Sequence, residues 1–152
     1  DNEISWFDWD LLEKNSGLYR FVSLLIKFRT KRGLSEDYPN LSLMEFLQNE
    51  RNVEWHGVRL GKPDWTPTSH SLACTSTSKA DESVLYFVCN AYSNDMDFEL
   101  PDPQNFKRNE WVRIVDTSLS SPEDIVLLED AKKVEEQKYS VKARSIVLLT
   151  AI

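Results

Sequence analysis

Four carboxylates, Asp1, Glu3, Asp8 and Asp10, crowd the first ten residues of this 152-residue chain, interleaved with Trp6, Phe7 and Trp9. Two carboxyl groups can cleave a glycosidic bond, one as acid and one as nucleophile, when a fold holds them about 5–5.5 Å apart for a retaining reaction. The spacing here does not specify such a pair. Carboxylates this near the start of a chain ordinarily face solvent or cap a helix, and Asp10, with Glu13 three residues on, reads as a cap. No catalytic residue is therefore assigned. His56 and His70 stand fourteen residues apart without a third ligand in a metal-binding spacing, so no metal site and no cofactor is assigned either. Ser69, His70 and Ser71 are adjacent, yet no Gly-x-Ser-x-Gly elbow surrounds a serine. Four glycines in the whole chain provide no phosphate cradle.

The aromatic residues say more. Trp6, Phe7, Trp9, Trp55, Trp65 and Trp111 could lay flat apolar faces against the C–H faces of sugar rings, while neighbouring Asp and Asn bond the hydroxyls. A Trp within a strand is normally part of a core, and Trp55 and Trp111 are read that way. Trp6 and Trp9 lie in a polar loop with Asp1, Asn2 and Asp8, where two roles stay open: the wall of a sugar cleft, or packing against a further domain. A chain that opens without Met inside so dense a cluster reads as a loop belonging to a larger protein.

The length suits one ordinary domain, able to bury roughly 68–70% of the surface its unfolded chain exposes. Apolar residues make up 41% and charged residues 28%, with 18 basic against 25 acidic side chains and a net charge of -7. Such a field repels polyanions, so nucleic acid is not expected as a partner, whereas a neutral sugar is indifferent to it. No apolar run approaches the roughly 20 residues that span a bilayer, and no membrane partner is expected. Cys74 and Cys89 fall in predicted strands, are too few to staple the fold, and read as buried thiols.

The pattern along the chain divides in two. Between residues 17 and 32, Leu18, Phe21, Val22, Leu25 and Ile26 recur at helical spacing and make one apolar stripe. Lys27, Arg29, Lys31 and Arg32 complement the carbonyl end of that helix, and Gly33 suits its left-handed stop. A short turn is expected at "LLEKN" and another at "SLMEFL", beyond Pro39. From about Val53 the period changes to two, and the segments "VEWHG", "SLACTST", "VLYFVCNA", "DFELP", "EWVRIVDT", "KYSVKA" and "SIVLLTA" read as strands between polar turns. The stretch "SPEDIVLLEDAKKVEEQ" suits either a short helix or an excursion. The expected fold is mainly β: an N-terminal loop, one long amphipathic helix, and then an antiparallel β-sandwich.

In this order, "DNEISWFDWDLL", "RFVSLLIKFR", "VEWHG…KPDW…SHSLA", "YFVCNAY", "WVRIVDTS…SP" and "YSVKARSIVLL" resemble the C-terminal part of isoamylase-type debranching enzymes, members of the α-amylase superfamily of glycoside hydrolases. The resemblance covers nearly the whole chain. It implies that residues 1–38 end a catalytic (β/α)8 barrel as its last loop and last helix, that 39–52 connect, and that 53–152 form the C-terminal sandwich. It further implies a retaining hydrolase of α-1,6 branch linkages in glycogen or starch-type glucans, whose catalytic carboxylates lie on earlier barrel strands. Asp1, Asn2, Trp6 and Trp9 would then contact the branched glucan, and the barrel of the same protein would be the partner of this segment. Homo- or hetero-oligomers stay open. A cytoplasmic or plastid location is expected from the resemblance, and Asn90 and Asp116 are expected to fix turns. A carbohydrate-binding module and a subunit-interaction domain are the competing readings.

Overall fold

The computed structural model describes residues 2, 6, 8–30, 51–78 and 82–152, with only the backbone of residues 51 and 52. Asp1, the end of the predicted helix at 31–32, and the turn expected at "SLMEFL" lie outside them. Among the described residues two helices come first, α1 (Asp10–Lys14) and α2 (Ser16–Thr30). Eight strands follow: β1 (Arg51–His56), β2 (Ser71–Ser78), β3 (Val84–Asn90), β4 (Met96–Glu99), β5 (Trp111–Asp116), β6 (Lys132–Val134), β7 (Lys138–Val141) and β8 (Ser145–Ala151). Each of the seven predicted strand segments forms a strand. β6 is an addition inside the ambiguous stretch, preceded by a single 3-10 turn at Leu128–Asp130.

All pairings are antiparallel. A six-stranded sheet runs in the order β1-β2-β3-β8-β5-β6, and a two-stranded sheet joins β4 to β7. The architecture is thus mainly β and sandwich-like. Alternation decides which side chains enter the core, because successive residues of a strand point to opposite faces. Val84, Tyr86 and Val88 of β3, Val147, Leu149 and Ala151 of β8, and Ala73 of β2 turn inward with Trp111, and meet Phe98 of β4 and Val141 of β7. The Trp111 ring lies 6.0 Å from that of Tyr86 and 6.2 Å from that of Phe106, and its indole N–H donates to the Pro101 carbonyl at 2.7 Å.

Directional bonds tie the small sheet to the large one at three places. The Tyr86 hydroxyl donates to the Glu99 carbonyl at the end of β4, at 2.9 Å. The Tyr139 hydroxyl of β7 donates to Asp116 Oδ2 of β5 at 2.8 Å. The Asn90 amide, buried at the end of β3, donates to the carbonyls of Val141, Lys142 and Asn94. Buried polar groups persist only when bonded in this way, and burial pushes the Tyr139 hydroxyl up to about 12.

β5 is buried on both faces. A register shift between Arg113 and Val115 puts Trp111 and Asp116 on the inner face, while Val115 faces outward with Leu148. On that outer side Val112, Ile114, Val115 and Ile125 form a second core with Phe21, Leu24 and Phe28 of α2. Arg20 fixes the helix, pairing with Asp124 and donating to Ser121 Oγ and to the Ile125 carbonyl, both at 3.1 Å. Leu18, Tyr19, Val22, Leu25 and Ile26, on the other side of the same helix, are exposed. The helix therefore carries apolar residues on two faces, one seated on β5 and one exposed, with no partner for it among the described residues. Among the described residues no helix is long and apolar enough to cross a membrane, and both cysteines are free and partly buried.

Candidate functional site

Asp8 and Trp9 lead directly into α1. Asn2 is exposed, as are Trp6 (64%) and Trp9 (75%). Asp1 lies outside the described residues, so the four expected contact residues are not seen assembled in one place. The helix start differs from the expected one. Asp8, not Asp10, supplies the carboxylate, its Oδ1 accepting from Asp10 N–H at 3.0 Å, while Asp10 is the first helical residue. The physical reason is an Asx-type turn over two residues, which places the accepting side chain two positions earlier than the capping-box reading requires. Asn15 then breaks the helical run, its amide donating back to Leu11 O at 2.9 Å, and α2 continues to the Arg20 anchor. Trp9 thus immediately precedes α1, which leads into the helix that Arg20 fixes to the sandwich.

A second aromatic feature stands at the β1 edge of the large sheet. Trp55 of β1 and Trp65 of the following loop meet edge to face, with ring centroids 5.7 Å apart and planes at 73°. They are 46% and 64% exposed. Placing Trp55 in the core is therefore corrected: β1 is an edge strand, and its register with β2 turns His56 inward beside Ala73 and Trp55 outward beside Cys74. Trp111 is 3% exposed and is core, as expected. The clue in the sequence was the pair of Trp flanking a Gly- and Pro-containing turn, "WHG…KPDW", which two isolated strand assignments overlook.

The mount of this pair is specific. His56 is buried, receives the Gly61 N–H on Nδ1 at 2.9 Å, and bonds Thr75 Oγ1 through Nε2 at 2.8 Å. Those bonds require the neutral ring with its proton on Nε2. Gly57 is needed because a Cβ there would lie 2.4 Å from the Lys62 carbonyl oxygen, so only glycine lets the loop close on the strand. Asp64 Oδ1 accepts from Thr66 N–H at 3.0 Å and sets the turn around Trp65.

Burial lowers the His56 pKa, with Glu54 opposing the shift more weakly. A group whose folded pKa lies below its unfolded value leaves the unfolded state holding the extra proton, so stability is lost as pH falls. Thermal melts should be flat near pH 8 and decline once the pH drops through the ordinary histidine range near about 6.5. His56→Gln should remove the histidine part of that slope; an identical slope in the variant would refute the assignment.

Other polar groups are engaged inside the protein. Asp116 Oδ1 accepts from the backbone and hydroxyl of Ser118, at 3.0 and 2.6 Å, and Asn90 Oδ1 accepts from Tyr92 N–H. Both residues fix turns. An open cleft of about 670 Å³ lies beside Trp111, where Lys133 closes on Glu110 at 2.8 Å. Among the described residues no cluster of three or more His, Cys, Asp or Glu could hold a metal ion.

Comparison with known proteins agrees with this domain. The family described as "Isoamylase 1-3, C-terminal" matches residues 54–151. Isoamylase 3, chloroplastic, of Oryza sativa subsp. japonica is 33% identical over 99% of this chain and 18% of its own length. Isoamylase SU1, chloroplastic, of Zea mays is 32% identical over 83% of this chain and 15% of its own length. A glycogen operon protein GlgX homolog of Mycobacterium tuberculosis is 24% identical over 98% of this chain and 22% of its own length. The chain thus spans less than a quarter of each of these relatives. With its sandwich matched almost from β1 to the end of β8, the chain belongs to the isoamylase 1-3 C-terminal domain family.

Proposed function

We propose that this chain is the C-terminal segment of a debranching enzyme that hydrolyses α-1,6 branch linkages in glycogen or starch-type glucans, and that it carries no catalytic group itself. In this reading residues 1–38 end a catalytic barrel, 39–52 connect, and 53–152 form the sandwich that braces it. Asp1, Asn2, Trp6 and Trp9 contribute a wall of the substrate cleft, since loops leading into barrel helices line the substrate face of such folds. The names of the plant relatives support a plastid location.

One observation carries the proposal. α2 is locked to β5 on one side and leaves Leu18, Val22, Leu25 and Ile26 exposed on the other, which is the expected form of a helix shared between two packing layers. Residues 1–152 alone should release no reducing ends from amylopectin. In the longer protein, Val22→Asp with Ile26→Asp should lower both the melting temperature and the debranching rate. Turnover by residues 1–152 alone, or an unaffected double variant of the longer protein, would overturn the assignment.

A further inference from the structure

We infer that Trp55 and Trp65 form an α-glucan-binding platform at the β1 edge, separate from the N-terminal loop. The inference rests on the glucan-acting reading above for its ligand class and on its own geometry for its location. Two large aromatic side chains, 46% and 64% exposed, are held at a fixed angle of 73° by a strand and a pinned loop. An indole left so open loses burial energy that a packed one would gain, so the elaborate mount is not explained by core packing. The mount consists of the His56 acceptor for Gly61 N–H, the close approach at Gly57 and the Asp64 turn.

The surroundings favour a sugar over a protein surface. Trp65 stands between exposed Asp64 and Thr66, with Pro67 and Thr68 also exposed. Anchors at protein interfaces instead sit among neighbours that exclude water. Hydroxyls and carboxylates beside an aromatic face suit a polyol, whose apolar ring face and polar rim need both partners. The angle adds selectivity. Successive rings of an α-1,4-linked glucan turn relative to one another, so two indoles in crossed planes can meet a curved chain, whereas a flat chain would engage one. A neutral ligand is also compatible with the net charge of -7.

The test is affinity electrophoresis of residues 1–152 in gels with and without glycogen, with circular dichroism to establish that each variant is folded. The wild-type chain should be retarded. Trp65→Ala and Trp55→Ala should weaken apparent affinity about tenfold, Trp65→Phe should keep most of it because a flat ring remains, and any loss in Trp6→Ala and Trp9→Ala should be smaller than in either. An unretarded wild-type chain, retardation lost only in the Trp6 or Trp9 variants, or a Trp65→Phe chain as weak as Trp65→Ala would overturn the inference. So would Trp65→Ala migrating as wild type in glycogen while lowering the melting temperature of the longer protein, which would assign the pair to a protein contact. None of these outcomes affects the hydrolysis experiment, so the two proposals fail separately.

Discussion

Trp111→Ala should lower the stability of the fold by about 3–5 kcal/mol, the range for removing a buried large aromatic. For a chain of this size that corresponds to a fall of roughly 6–20 °C in melting temperature. The indole fills the inner face between Tyr86 and Phe106, and its loss also leaves the buried Pro101 carbonyl without its donor. Trp55→Ala should change stability by less than about 1 kcal/mol, because nearly half of that side chain is already in water. Thermal unfolding followed by far-ultraviolet dichroism measures both. Equal losses in the two variants would show that the edge placement of β1 is wrong.

The second large effect is expected at Asn90. Its amide meets three carbonyl oxygens, at 2.9 Å from Asn94, 3.1 Å from Val141 and 3.0 Å from Lys142. Asn90→Asp places a carboxylate where only a donor fits, and should cost about 3–5 kcal/mol at neutral pH. Asn90→Ala, which leaves acceptors unsatisfied without adding charge, should cost about 1–3 kcal/mol. The pH dependence separates the two. The new carboxyl would bind its proton more tightly folded than unfolded, so the folded state gains protons and the penalty shrinks as pH falls toward 4. Urea denaturation at pH 7.5 and 4.5 reads this directly; a pH-independent gap between the Asp and Ala variants would contradict the donor role.

The strands were legible because most of them alternate cleanly. In "VLYFVCNA" the residues Val84, Tyr86, Val88 and Asn90 are buried, and those between them are less so. β6 was not legible, since "KKV" is three residues long and its pairing with Trp111, Val112 and Arg113 is imposed by β5 rather than by its own pattern. The outward turn of Trp55 was hidden for a related reason: edge position is a property of the assembled sheet, and a β1 sequence reads alike at an edge or in the centre. Asp8 replaced Asp10 at the helix start because two carboxylates two residues apart both satisfy the composition rule, and only turn geometry chooses between them. The motif "WHG…KPDW" was visible as a string of residues. Its physical content, a neutral imidazole closing a loop under an aromatic pair, needed the distances.

The strand order also sets a length. From β1 to β5 the large sheet takes four steps of about 4.8 Å each, roughly 19 Å in all. The helix seat and the tryptophan edge are therefore opposite jaws of one caliper, and a tilt of about 10° at the seat would displace the far jaw by about 3 Å by that estimate.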